Sequence, residues 1–327
     1  MKVHILSAAL LAALCTDADA QFDHILADGR ALTSAFSDGD SATIWSHMND
    51  EMRQALGSEA ALSELDRQVD AGFGAELEIL SEYAQPANAY LAYMRTARHE
   101  RGMLVTQWTL DKDGKVAGFF VRPAGEAAPS THLDYDTRAR LALPFHGEWF
   151  VYWGGRTPDA NYHAVDPGQR FAVDLTVLRE GSNHEGDGTR PEDYYCWNQP
   201  VLAPANGTVA HATGDLPDQA IGDTDTANPA GNHVVIDLGN DEYVFLAHLQ
   251  HGSVAVKEGD TVAGGQVLGR CGNSGNTSEP HLHIHLQTSP ILGQGEGLPV
   301  FFNSYRSDGK PVARGELLRG QSITPDN

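Results

Sequence analysis

The run Pro280-His281-Leu282-His283-Ile284-His285-Leu286 sets three histidines at every second position with aliphatic residues between them. Successive side chains of a β-strand point to opposite faces, so this spacing sends the three imidazoles to one side and Leu282, Ile284 and Leu286 to the other. Neutral imidazole is a frequent metal ligand near neutral pH. A histidine-rich solvated strand would give the same local pattern, so the surroundings decide. Nine of the fifteen histidines fall between His163 and His285, and Asp174 stands in the apolar run Phe171-Ala172-Val173-Asp174-Leu175. Two imidazoles and one carboxylate give zinc a tetrahedral set with one position left for water, the arrangement of catalytic rather than structural sites. Such a site turns water into a nucleophile toward a carbonyl.

Donors this far apart in sequence must be gathered by the fold. From Phe22 to about Glu82 the spacing is helical: Phe22, Ile25, Leu26, Leu32 and Phe36 form one stripe, and Ile44, Trp45, Met48, Met52 and Leu56 form a second. Gly39 and Gly57 supply breaks, and Ser41 and Ser58 are the expected N-caps of the second and third helices. Beyond Pro86, strands are expected at 89–98, 103–110 and 116–121, the last two joined by the turn Asp111-Lys112-Asp113-Gly114. Helices followed by a meander predict an N-terminal α+β domain over residues 21–123.

Residues 124–145, which open on Pro- and Gly-rich sequence, are expected to link this domain to the next. Short apolar runs separated by Gly, Asn and Asp then predict a C-terminal, mainly antiparallel β domain over 146–305, with strands near 150–153, 170–177, 207–211, 233–238, 243–249 and 266–270. Residues 306–327 read as a tail.

Met1-Lys2, the apolar run from Ile5 to Leu14 and Ala18-Asp19-Ala20 together fit a signal peptide over residues 1–20. The expected product is exported, periplasmic or extracellular, and no later stretch has the length or apolarity for membrane insertion. Its two remaining cysteines, Cys196 and Cys271, are compatible with one disulfide or with two buried thiols. A formal charge of −22, from 44 acidic against 22 basic residues, argues against a nucleic-acid partner.

The motifs Leu246-Ala247-His248-Leu249, Gly272-Asn273-Ser274-Gly275-Asn276 and Glu279-Pro280-His281-Leu282-His283 resemble those of the LytM/lysostaphin-type zinc endopeptidases. So do Val201-Leu202-Ala203-Pro204-Ala205-Asn206-Gly207-Thr208-Val209, Val256-Lys257-Glu258-Gly259-Asp260-Thr261-Val262 and Gly265-Gln266-Val267-Leu268-Gly269, so that the resemblance covers roughly Trp149 to Gln287. It implies a LytM-type peptidase fold holding Zn2+ and hydrolysing the peptide stems of bacterial peptidoglycan. His283 and Asp174 would be zinc ligands, His281 a catalytic group beside the metal, and His248 its partner. His285 takes a non-ligand position, expected to line the cleft or to hold a ligand by a hydrogen bond.

One ligand departs from the pattern. The family's usual His-x-x-x-Asp becomes Arg170-Phe171-Ala172-Val173-Asp174 here, and a guanidinium has no lone pair for zinc. His163, on the loop before this run, is the first candidate to replace the missing imidazole, with His184 in reserve. Asp166 is the reserve for Asp174. Arg170 is expected beside Asp174, either paired with it or receiving a substrate carboxylate. Loss of the metal is the alternative, giving a catalytically degenerate protein that binds cell wall or regulates another wall hydrolase. In the N-terminal region, the element order and Asp113-Gly114-Lys115-Val116-Ala117-Gly118-Phe119-Phe120-Val121-Arg122-Pro123 resemble the small domains related to nuclear transport factor two.

Overall fold

The computed structural model describes residues 16–87 and 90–326, so the expected leader falls largely outside the described residues. The chain divides into two compact units, Met1–Ala124 and Gly125–Asn327.

In the first unit four helices, α1 (Thr16–Ser37), α2 (Ser41–His47), α3 (Asp50–Leu56) and α4 (Glu59–Phe73), precede four strands. The stripe that reads as one helix from Ile44 to Leu56 is interrupted at Met48, whose extended backbone ends α2. Asn49 then caps α3 by accepting from Met52 N at 2.8 Å. Asp40 rather than Ser41 caps α2, accepting from Thr43 N at 3.0 Å, while Ser58 caps α4. Helix α4 stops at Gly74, whose φ of +71° favours a residue without Cβ. Residues 76–82, expected as helix, are therefore the start of β1 (Glu76–Ala87), which pairs along its length with β2 (Tyr90–His99). Strands β3 (Gly102–Leu110) and β4 (Val116–Pro123) complete an antiparallel sheet in sequential order. Its core joins α1 to the sheet. Trp108 stacks on Phe119 with ring centroids 3.8 Å apart, Phe36 meets Phe119 edge-on at 4.9 Å, and Trp108 Nε1 donates to Thr33 Oγ1 at 2.9 Å.

The second unit is built of short strands: β5 (Trp149–Trp153), β6 (Val173–Thr176), β7 (Pro200–Leu202), β8 (Gly207–Thr213), β9 (Asn232–Asp237), β10 (Tyr243–Leu249), β11 (Thr261–Val262), β12 (Val267–Arg270), β13 (Leu282–Gln287), β14 (Gly297–Leu298), β15 (Phe302–Ser307), β16 (Lys310–Gly315) and β17 (Ser322–Pro325). Eleven of them form one sheet in the order β11-β8-β9-β10-β13-β6-β5-β17-β15-β16, with β14 on β13, and β12 pairs with β7. The named pairings are antiparallel. Leu282, Ile284 and Leu286 of β13 join Val173, Leu175, Val244 and Leu246 in a buried cluster on one face, each side chain contributing about 1.5–3 kcal/mol by leaving water.

Two segments depart from expectation. Leu141, Leu143 and Phe145 lie in this core rather than in a linker. The segment read as a tail supplies β16 and β17, and β17 pairs Ile323 with Trp149 of β5. Strand β17 buries one apolar residue, Ile323, and β16 only half-buries Val312, too few to make a visible alternation. Both cysteines are buried free thiols, and Cys196 Sγ donates to Pro280 O at 3.0 Å.

Candidate metal centre

Register brings the first two donors together. Asp174 on β6 stands opposite His283 on β13, and His283 stands opposite Ala247 on β10, so these side chains share the sheet face away from the aliphatic cluster. His283 Nδ1 lies 2.8 Å from Asp174 Oδ1.

The third imidazole comes from outside the sheet. His163 lies in a single 3-10 turn, Tyr162–Val165, and the fully buried Asn161 fastens that turn to the start of β6. Asn161 Oδ1 accepts from His163 N at 3.2 Å, while its Nδ2 donates to Gly155 O at 3.0 Å and to Ala172 O at 2.8 Å. The result sets His163 Nε2 3.0 Å from Asp174 Oδ2. One ligand atom from each of His163, Asp174 and His283 lies within 4.8 Å of the others, and all three residues are buried.

Arg170 does not stand beside them. It belongs to a turn closed by Ala172 N donating to Gln169 O at 2.9 Å, and the strand begins only at Val173. The two-residue alternation that would place Arg170 with Asp174 therefore does not apply. Its Nη1 donates to Arg156 O at 2.7 Å and its guanidinium lies over the Phe171 ring at 5.2 Å. The reserve candidates are occupied elsewhere: Asp166 Oδ1 accepts from Gly168 N and Gln169 N at 2.8 and 3.0 Å, and His184 packs its ring against Tyr194.

Three further histidines complete the cluster. His281 Nδ1 donates to Glu279 O at 2.9 Å, since a carbonyl can only accept. Its Nε2 then faces the carboxylate, 3.7 Å from Asp174 Oδ1, buried and without a hydrogen-bond partner among the described residues. His248 Nδ1 likewise donates to Ser274 O at 2.9 Å, and the His248 and His281 ring centroids are 4.8 Å apart. His248 has φ +60°, unusual for a residue with a side chain, at the break in pairing between β10 and β9. His285 stacks on Phe245 at 4.3 Å and sets its Nδ1 2.9 Å from His283 Nε2.

Electrostatics sort these groups by role. Burial alone would raise the Asp174 carboxyl, but the neighbouring His163 and His281 and the hydrogen bonds from His163 and His283 outweigh it and hold the group well below the usual carboxylate range. Burial pushes His248, His283 and His285 down, His248 and His285 far below the ordinary histidine value, so these rings are neutral. A neutral His248 with its proton on Nδ1 carries its lone pair on Nε2.

Two cavities open on the cluster. One, ≈ 100 Å³, is lined by Tyr162, His163, His248, His283 and His285; the other, ≈ 320 Å³, by Tyr152, Trp153, Tyr162, Glu279 and His281. Next to the lining residues Ala230 and Asn276 the backbone is closely packed. Gly231 and Gly275 interlock, so that a Cβ on Gly231 would stand 2.1 Å from Ser274 O and one on Gly275 2.4 Å from Gly231 N. Asn161 and Tyr162 also belong to the site, one fastening the His163 turn and the other lining both cavities, and no periodic pattern in the sequence marks either.

Residues 193–296 match the model of peptidase family M23. A 106-residue stretch is 38% identical to the peptidoglycan DD-endopeptidase ShyA of Vibrio cholerae, covering 30% of this chain and 24% of that protein. Endolysin 2638A of Staphylococcus phage 2638A is 34% identical over 86 residues, which is 25% of this chain and 18% of the endolysin. The chain thus spans about a quarter or less of the curated relatives it matches. The catalytic domain of the prophage-encoded M23 protein EnpA from Enterococcus faecalis aligns over 49% of this chain and 94% of its own, at 19% identity and a TM-score of 0.31. The second unit is similar to the LytM/lysostaphin-type M23 peptidases. The matched family segment contains His248, His281 and His283, whereas His163 and Asp174 lie upstream of it.

Proposed function

We propose that the chain is an exported zinc-dependent endopeptidase that hydrolyses peptide cross-links of bacterial peptidoglycan. The observation that carries this reading is the convergence of His163 Nε2, the Asp174 carboxylate and His283 Nδ1 within 4.8 Å. The similarity to peptidoglycan-cleaving M23 proteins supports the substrate class.

Two imidazole nitrogens and one carboxylate suit zinc in chemistry and number. The buried, unpartnered Nε2 of His281 is a polar atom that the protein itself leaves unsatisfied, as expected beside a reaction centre. His163, Asp174 and His283 would hold the ion. Bound there, zinc supplies Lewis acidity toward the scissile carbonyl and toward water.

The remaining steps belong to the side chains. His248, neutral and with Nε2 free of its own proton, takes the proton from the attacking water and passes it to the leaving amine. His281, fixed through Nδ1 to Glu279 O, presents Nε2 to the carbonyl oxygen as negative charge develops, and when doubly protonated it donates there. Peptide bond cleavage then yields one carboxylate and one ammonium group, with water supplying the oxygen to the first and both of its protons to the leaving nitrogen.

A second reading rests on the hydrogen-bond distances around Asp174. At 2.8 and 3.0 Å, His283 and His163 could satisfy the carboxylate without an ion, as in a degenerate, wall-binding relative. Elemental analysis of purified protein together with digestion of cross-linked wall, with and without a chelator, separates the two. About one zinc per chain and chelator-sensitive release of peptides support the enzyme. Folded protein that stays zinc-free in excess zinc salt overturns it.

A further inference from the structure

The larger cavity beside His281 contains a carboxylate that the hydrolytic steps do not use. Glu279 is half-buried on its wall, and burial pushes its carboxyl up, offset in part by His281, His184 and hydrogen bonds from Asn183 and Tyr194. Those bonds are modest: Asn183 Nδ2 donates to Oε1 at 3.2 Å, and the Tyr194 hydroxyl stands 3.5 Å from Oε2. The side chains that offset its burial are His281, His184, Asn183 and Tyr194, with no lysine or arginine among them. The carboxylate is thus partly desolvated, with acceptor capacity unused and no fixed counter-charge.

Its surroundings select the missing partner. Tyr152, Trp153 and Tyr162 line the cavity wall, with Trp153 and Tyr162 edge-to-face at 5.3 Å; the Arg319 guanidinium lies over the Trp153 ring at 3.7 Å, and the His163 ring is 3.9 Å from that of Tyr162. Burial, then the charge of Glu279, pushes the Tyr152 hydroxyl up to about 12 against the opposing charge of Arg319, so the field of Glu279 reaches that wall. Arg319 takes one cation-binding face of this wall, and the remaining aromatic rims suit the methylenes of an aliphatic amine. A volume of ≈ 320 Å³ admits one extended side chain. The cavity also reaches Asp174 and His281, so a residue seated there would have its backbone beside the proposed reaction centre.

We propose that this cavity is a subsite for a substrate residue carrying an aliphatic ammonium group, with the Glu279 carboxylate as its counter-charge. The subsite deepens the endopeptidase reading and rests on it for the word substrate, but the recognition itself requires no metal.

Binding to the metal-stripped full chain tests it without hydrolysis. The probes are two blocked peptides, Nα-acetyl-lysyl-alanine amide and the same peptide with its ε-amine acetylated, each titrated while tryptophan fluorescence is recorded. The free amine should bind about tenfold more tightly than its acetylated twin, the scale of one charge-assisted contact. Glu279→Gln should erase that preference without lowering the melting temperature. Equal affinity for the two peptides, no binding of either at millimolar concentration, or a preference that survives in Glu279→Gln overturns the subsite. Should the variant fail to fold, the wild-type pair of titrations still decides. Wall digestion without the ammonium preference sinks the subsite alone, whereas the preference without zinc or digestion sinks the hydrolase alone.

Discussion

His283 Nε2 lies 2.9 Å from His285 Nδ1, so the innermost imidazole of the cluster is held through the nitrogen that faces away from Asp174. When a cation takes up Nδ1 of His283, its proton must reside on Nε2, and the neutral His285 is placed to accept it. His285→Ala should weaken zinc affinity by about 10–100-fold, the usual effect of removing such a partner. Competition titration against a chromophoric chelator measures this, and an unchanged affinity would remove His285 from the site.

His163 and Arg170 make opposite predictions. His163→Ala should cut zinc content to a small fraction of the wild-type value, because the donor lost is one of three. Arg170→Met should leave zinc content intact while lowering stability by about 1–3 kcal/mol through the lost bond to Arg156 O and the contact with Phe171. Metal analysis and thermal melting of both variants check the pair. Retained zinc in the His163 variant would show that another group completes the set.

Asn161 would act on the proposed metal site at one remove. Asn161→Ala breaks one hydrogen bond within the 3-10 turn and two to neighbouring carbonyls, in a residue with no exposure. A loss of about 2–4 kcal/mol is expected from unsatisfied buried groups, with weaker zinc binding as the turn loosens. Chemical denaturation with and without added zinc separates the two effects: metal should restore part of the stability, by mass action on the folded state.

In the first unit, Glu82 accepts from Tyr93 OH, from Arg95 Nε and Nη2 at 3.0 and 2.7 Å, and from Arg30 Nε at 2.9 Å. Burial would raise its carboxyl, but these bonds and the charge of Arg95 bring it below the ordinary glutamate value. Stability from this group is thus fully present above the unfolded-state value and is lost as pH falls through the lower folded one. Glu82→Gln should cost about 1–3 kcal/mol at pH 7. That gap should shrink as the acid limb is approached, as read from melting temperatures of both proteins across pH 3–7. A gap constant over that range would exclude the linkage.

On the aliphatic side of β13, Ile284 is fully buried between β6 and β10. Ile284→Ala should destabilise by about 2–5 kcal/mol, measured by denaturant unfolding. A loss below about 1 kcal/mol would mean that the sheet collapses into the space.

Much of this arrangement could be read from residue order. The alternation through His281–Leu286 correctly separates an aliphatic face from an imidazole face, and strands at 243–249 and 266–270 lie within a residue of β10 and β12. Polarity misled in one respect: β13 is buried on both faces, because the imidazoles are covered by one another, by Phe245 and by the His163 turn. What stayed hidden depends on turns. Arg170 is not a strand residue because the turn from Gln169 to Ala172 precedes Val173, and the strand over 76–82 shows no clean alternation because its pairing with β2 shifts register between Glu76 and Glu78 and between Ile79 and Ser81. The convergence of His163 with Asp174 needed the Asn161 fastening, a long-range hydrogen-bond arrangement with no periodic signature.

The interlocked Gly231 and Gly275 leave no room for a single carbon on either backbone. Backbones packed that closely tolerate no added side chain at either position, so the two loops beside Ala230 and Asn276 can vary only around a fixed glycine pair. Under the proposed function, selectivity would therefore be retuned through side chains around the cavity, Tyr152, Asn276 and Glu279 among them, while the glycine pair stays as it is.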